Sequence, residues 1–259
     1  MRHIPKTEAS CQPEHLLRVD GRLPLARRVE RWLLPPRCVL CLEAGMEVAT
    51  GLVAGDYRGA LLDLCPACHA ELPWRLPLAV LATGKGAGLR VPEGVTLVYA
   101  PLAYAWPVSP LVHALKYRGE RVYGRVLATV LAAAAVHARL PLPEVFVPVP
   151  LHPARERQRG FNQSRDLAHR LARDLGGRLV PALRRLRDTP AQAGLTAVER
   201  RTNLLGAFAL DEAYRRRVAG GHLALVDDVL TTGSTALACA AVLRAAGARR
   251  VDVWAVARA

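Results

Sequence analysis

A chain of 259 residues, 51% hydrophobic and 22% charged, can bury a sizeable core, which excludes a disordered or low-complexity protein. Its 36 basic residues outnumber 22 acidic ones for a formal charge of +14, so polyanionic partners are favoured, whether nucleic acid or phosphate-rich small molecules. Met1–Ser10 lacks the apolar core of a signal peptide, and the most apolar segment, Val126–Val136, is too short for a bilayer, so the sequence predicts a cytoplasmic protein without membrane insertion.

In chain order, residues 1 to about 20 are polar and aperiodic. Leu23–Leu34 predicts a short amphipathic helix with Leu25, Val29, Trp32 and Leu33 on one side, stopped by Pro35 and Pro36. Cys38 and Cys41 form one CxxC pair, and after 23 intervening residues Cys65 and Cys68 form a second. Each such pair makes a tight knuckle, and two knuckles can bring four thiolates to one tetrahedral zinc ion. Four thiolates leave no open coordination position, so the expected zinc is structural. Disulfides or buried free thiols are the alternative, which a reducing cytoplasm disfavours. His69 adjoins Cys68 as a fallback ligand, whereas Cys11 and Cys239 stand outside the pattern.

From Leu72 to Gly94 the chain is rich in Pro and Gly and reads as a connection. Thr96–Ala105 predicts strand, Val108–Lys116 a short helix, and Arg121–Leu140 a longer one. Lys116, Tyr117 and Arg118 place cations beside an aromatic ring: either a contact to phosphate or DNA, or a charged helix end complementing its own dipole. Val145–Val149 is a short apolar strand in which Pro148 is awkward for pairing on both sides. Its carboxyl end leads into a loop carrying Arg155, Arg157 and Arg159, ahead of Gly160-Phe161-Asn162-Gln163 and a helix over 164–175. Ligands of open α/β sheets gather at the carboxyl ends of strands, so these arginines either meet a pyrophosphate or DNA there or are merely solvated. Leu179–Leu183 predicts another strand, and Arg184–Asn203 a polar, basic loop able to close over a substrate.

Leu223–Val226 is an uninterrupted apolar run ending in Asp227 and Asp228, as expected of a buried parallel strand. Thr231, Thr232, Gly233, Ser234 and Thr235 follow, then a helix over 236–246 and a last strand over 249–258. Strand, hydroxyl-rich turn and helix start present free backbone N–H groups, hydroxyls and the positive end of a helix dipole at one point, which suits a phosphate monoester. Two carboxylates just before it can accept hydrogen bonds from vicinal ribose hydroxyls or help hold Mg2+. The expected ligand is a ribose 5-phosphate with a metal.

The acidic pair followed by TTGST resembles the phosphoribosyl pyrophosphate (PRPP) motif of type I phosphoribosyltransferases. Together with the cysteine pairs CVLC and CPAC, LKYRG, VPVPLHPARERQRGFNQS, TPAQAGLTAVERRTNLLGAF and AGARRV, the order of blocks resembles the ComF family of competence-associated, phosphoribosyltransferase-like proteins. The resemblance covers most of the chain; Ser234 stands where related loops often carry Gly or Ala. It implies an α/β fold: a type I phosphoribosyltransferase-like parallel sheet flanked by helices over 96–259, joined to an N-terminal region over 1–95 with a zinc-ribbon-like module at about 36–72. It implies that Asp227 and Asp228 contact the ribose hydroxyls, with Mg2+ accompanying PRPP, and that residues 231–235 cradle the 5-phosphate. It further implies handling of imported single-stranded DNA in natural transformation, alongside a helicase-like ATPase. The alternative is an active phosphoribosyltransferase moving ribose 5-phosphate from PRPP to an amine or nucleobase; the resemblance supplies neither acceptor nor reaction.

Overall fold

The computed structural model describes residues 29, 33, 35, 37–53, 56–75, 79–81, 94–187 and 206–259. The predicted helix over 23–34 lies outside these save for Val29 and Leu33, both helical and both exposed. Cys11 and most of the predicted loop over 184–203 also lie outside them.

The central sheet runs β3 (Ala79–Leu81), β4 (Leu97–Tyr99), β11 (Arg250–Arg258), β10 (His222–Leu230), β6 (Val145–Pro148) and β7 (Arg178–Leu179), with β5 (Leu102–Ala103) also on β11. All pairings are parallel except that of β3 with β4. Pro148 is accommodated because β7 pairs only with Val145 and Phe146, so no partner on that side needs the missing N–H. The stretch read as a pure connection contains β3, an edge strand whose formation depends on β4 rather than on its own short sequence.

Both central strands are mostly apolar because each lies between two layers; buried His222 and Asp252, side by side near their amino ends, pair with each other at 2.7 Å. Ala224, Val226, Trp254 and Val256 face one core, which holds α2 (Val108–Arg118), α3 (Arg121–His137) and α5 (Gln163–Leu175). Leu223, Leu225, Val251 and Val253 face the other, with α7 (Ser234–Ala245) and the antiparallel pair β8 (Leu183–Arg185) and β9 (Phe208–Leu210). This is the expected mostly parallel sheet flanked by helices. Among the described residues, no helix is long and apolar enough to cross a membrane.

The two cysteine pairs bracket a hairpin of β1 (Met46–Val53) and β2 (Asp56–Leu62). The second pair opens α1 (Pro66–Ala70), capped by Cys65, whose sulfur accepts from the Cys68 N–H at 3.4 Å. The hairpin rests on α3 and α5. Cys38, Leu62, Leu64 and Cys65 belong to the same apolar cluster as α2 and α3, and Arg125 of α3 ion-pairs with Asp63.

Candidate functional site

β10 carries Asp227 and Asp228 beyond Val226, which is paired with Pro148, the last residue of β6; the acids therefore stand at the carboxyl ends of the parallel strands. Residues 231–233 turn directly into α7, and Gly233 adopts φ +76°, a left-handed conformation suited to glycine. Thr231 and Thr232 are exposed, and the Thr232 and Ser234 hydroxyls lie 3.0 Å apart. The predicted phosphate loop is thus a hydroxyl-lined turn at a helix start, with the acidic pair at the end of the same strand.

Asp227 is enclosed by neighbouring atoms although its edge meets solvent, and Asp228 is buried. Oδ1 of Asp227 accepts from the Ser164 hydroxyl at 3.0 Å and from the Asp228 N–H at 2.9 Å. Burial, with the adjacent Asp228 charge, pushes the Asp227 carboxyl up to about 7 against the opposing pull of Lys116 and these donors. Asp228 Oδ1 accepts from the Val229 N–H at 2.7 Å. Its Oδ2 lies 2.9 Å from Lys116 Nζ, an ion pair at contact distance whose orientation leaves Oδ2 without a directed hydrogen bond. Burial pulls the Lys116 ammonium down, but the charges of Asp228 and Asp227 outweigh it and hold the ammonium above its ordinary value.

The other predicted residues separate. Lys116 enters the acidic site, Arg118 pairs with Glu120 at 2.6 Å, and Tyr117 is exposed beneath the Arg159 guanidinium, 5.6 Å from its ring centre. The arginine segment is a helix rather than a loop: α4 (Pro153–Arg159) is capped by His152, started by Pro153 and ended by Gly160. Arg159 donates to Gln163 Oε1 at 2.5 Å, and Gln163 opens the helix that also carries Ser164. Ser164 escaped the sequence reading; its partner lies 63 residues away, and the only signal was its place just after the Gly-Phe-Asn-Gln turn.

The four predicted zinc ligands do converge. The sulfurs of Cys38, Cys41, Cys65 and Cys68 lie within 4.8 Å of one another, with Cys41 and Cys65 at 3.5 Å. A tetrahedron with metal–sulfur bonds of 2.3 Å has edges of about 3.8 Å, so the group fits a metal such as zinc. Burial raises the Cys38 thiol, but backbone hydrogen bonds from Cys65, Cys41 and Leu40 overcome this and bring it down to about 6, while burial drives Cys68 upward. His69 is buried against Trp74 and lies outside the sulfur group; burial lowers its imidazole to about 4. Cys239, outside the cysteine pattern, is buried in α7.

The DNA utilization protein YhgH of Escherichia coli O6:H1 is 35% identical over 237 residues, spanning 87% of this chain and 98% of that protein. Competence protein F of Haemophilus influenzae is 39% identical over 165 residues, 60% of this chain and 70% of its own length. The chain belongs to the ComF family. YhgH of Salmonella typhi, 37% identical over 202 residues, matches 76% of this ComF chain and 85% of its own. A solved structure of the allosteric regulatory enzyme of purine biosynthesis is 20% identical and superposes with a TM-score of 0.35, over 51% of the ComF chain and 25% of its own. No family model matches.

Proposed function

We infer that this ComF-family protein binds PRPP with Mg2+ at the carboxyl ends of β10 and β6 and acts on imported single-stranded DNA in the cytoplasm during natural transformation. The observation that carries the PRPP reading is the convergence at one strand end of two carboxylates and a hydroxyl-lined helix start. The names of the relatives, DNA utilization protein and competence protein, support the DNA role.

In this reading Asp227 and Asp228 accept the ribose hydroxyls, residues 231–235 bind the 5-phosphate, and Arg155, Arg157 and Arg159 of α4 meet the diphosphate. Asp228 Oδ2, lacking a directed donor, suits a hard cation, and Mg2+ accompanying PRPP would neutralise its charge in place of Lys116. Lys116, released from Asp228, then provides a phosphate-binding cation. The four sulfurs hold zinc as a structural ion, within an N-terminal region over 1–95 serving the phosphoribosyltransferase-like part over 96–259. A helicase-like ATPase is the partner class that fits a DNA-uptake role.

Calorimetric titration with PRPP, with and without Mg2+, tests the site. Saturable, Mg2+-enhanced binding that disappears in Asp227→Asn/Asp228→Asn is expected; equal heats in the double variant and the parent would refute the reading. Release of pyrophosphate in the presence of an amine or nucleobase would instead assign turnover to the site.

A further inference from the structure

On the far edge of the sheet, away from the acidic pair, a cavity of about 570 Å3 is lined by His169, Arg173, Arg178 and Arg217, with Leu179 and Val180 forming part of its wall. Four features of the chain build it. Gly177 lets the backbone approach Phe146 so closely that a Cβ there would sit 2.6 Å from the ring, which closes the cavity against β6. α5 supplies His169 and Arg173 from its exposed side, and β7, the last strand of the sheet, supplies Arg178. The short helix α6 (Arg215–Val218) contributes Arg217, whose guanidinium lies 5.7 Å from the Tyr214 ring centre.

Its charge is one-sided. Asp174 is occupied by Arg173 at 2.9 Å; of the two acids just before α6, Glu212 is held by Arg215 at 2.7 Å and Asp211 accepts from the Ala213 N–H at 3.2 Å, which leaves Arg178 and Arg217 as exposed cations whose guanidinium forks match phosphate oxygens. Arg178 pairs with Val145, the first residue of β6, whereas the acidic pair follows the residue opposite Pro148, its last. The cavity and the acidic pair are therefore at opposite ends of the parallel strands, separated by roughly 10 Å of β6 alone.

We propose that this arginine-lined cavity is a binding site for the phosphates of single-stranded nucleic acid, separate from the PRPP crevice, so that both ligands are held at once. This rests on the reading of the chain as a DNA-handling protein. A concave site of this size admits a splayed nucleotide, with a phosphate on the arginines and sugar or base against Leu179 and Val180, while a duplex cannot turn its paired bases into it.

The test is fluorescence anisotropy of a labelled single-stranded oligonucleotide of about 20 nucleotides on the full chain, from ~50 to ~300 mM salt. Arg173 is left in place because it neutralises buried Asp174. In Arg178→Gln/Arg217→Gln the salt slope is expected to drop by about 1.4, two contacts at roughly 0.7 each for a single strand, with Kd up on the order of tenfold. PRPP titration and melting temperature should match the parent. Unchanged oligonucleotide binding in this variant, or a loss confined to Arg155→Gln/Arg157→Gln in the crevice, overturns the proposal. So does displacement of the oligonucleotide by equimolar inorganic phosphate, which would mark a site for free phosphate rather than for a strand. A parent protein that binds PRPP but no oligonucleotide sinks the DNA reading itself, and one that binds the oligonucleotide but no PRPP sinks the crevice reading while leaving the cavity assignment standing.

Discussion

Asp227 and Lys116 concentrate the electrostatic tension of the site. The Asp227 carboxyl is held near 7 against an ordinary value of 3.8, so between these pH values the folded chain retains a proton that the unfolded chain has released. Its contribution to stability is complete below about pH 4 and is lost as the pH rises through 7, a decline on the order of 4 kcal/mol. Urea denaturation at several pH values should show Asp227→Asn flattening this decline relative to the parent; parallel curves for the two proteins would contradict the assignment. Because ribose hydroxyls need the carboxylate, PRPP affinity should rise with pH across the same range. Lys116→Gln removes the cation 2.9 Å from buried Asp228 and should cost about 3 kcal/mol, read from the shift in the urea midpoint. The acidic pair and the hydroxyl loop were legible because their signal is local. The Lys116–Asp228 and Ser164–Asp227 contacts were not, because only the folded sheet brings α2 and α5 to the end of β10.

At the level of elements, the enclosed strands β6 and β10 were readable from their apolar runs, Val145–Val149 and Leu223–Val226, and the longer helices from their residue patterns. β3 escaped because its three residues sit between Pro- and Gly-rich flanks and gain their conformation from β4. α4 escaped because arginines at alternate positions look extended; the cap at His152, Pro153 at the first helical position and Gly160 at the end were the better signals. Gly177 joins α5 to β7 where a side chain would strike Phe146, so Gly177→Ala should lower stability by about 2 kcal/mol and loosen the β6–β7 edge, measurable by thermal unfolding and by faster amide exchange at Val180. The cysteine module offers a parallel test. Since Cys38 and Cys65 belong to the core shared with α2 and α3, stripping metal with a strong chelator should lower the melting temperature of the whole chain by at least ~5 °C; an unchanged transition would mean that no ion contributes to the fold.

Across the whole molecule, the acidic crevice and the arginine-lined cavity occupy opposite ends of one sheet, so PRPP at saturation should leave oligonucleotide affinity within about twofold of its ligand-free value, as independent sites require. Competition would instead place both polyanions in the crevice. Net charge pointed to a polyanion but could not locate it, because His169, Arg173, Arg178 and Arg217 come together only through the packing of α5, β7 and α6. The sheet order has another consequence, for synthesis on the ribosome. β11, the last of these strands to be made, lies between β4 and β10, and its residues 251–257 are fully buried. Until it emerges, β4 has no bridge to β10, and the nascent chain carries two half-sheets with open apolar edges. Such an intermediate is a natural client for a chaperone and prone to pair with its neighbours on a polysome, so a stop codon ahead of Arg250 should yield insoluble product rather than a smaller folded protein.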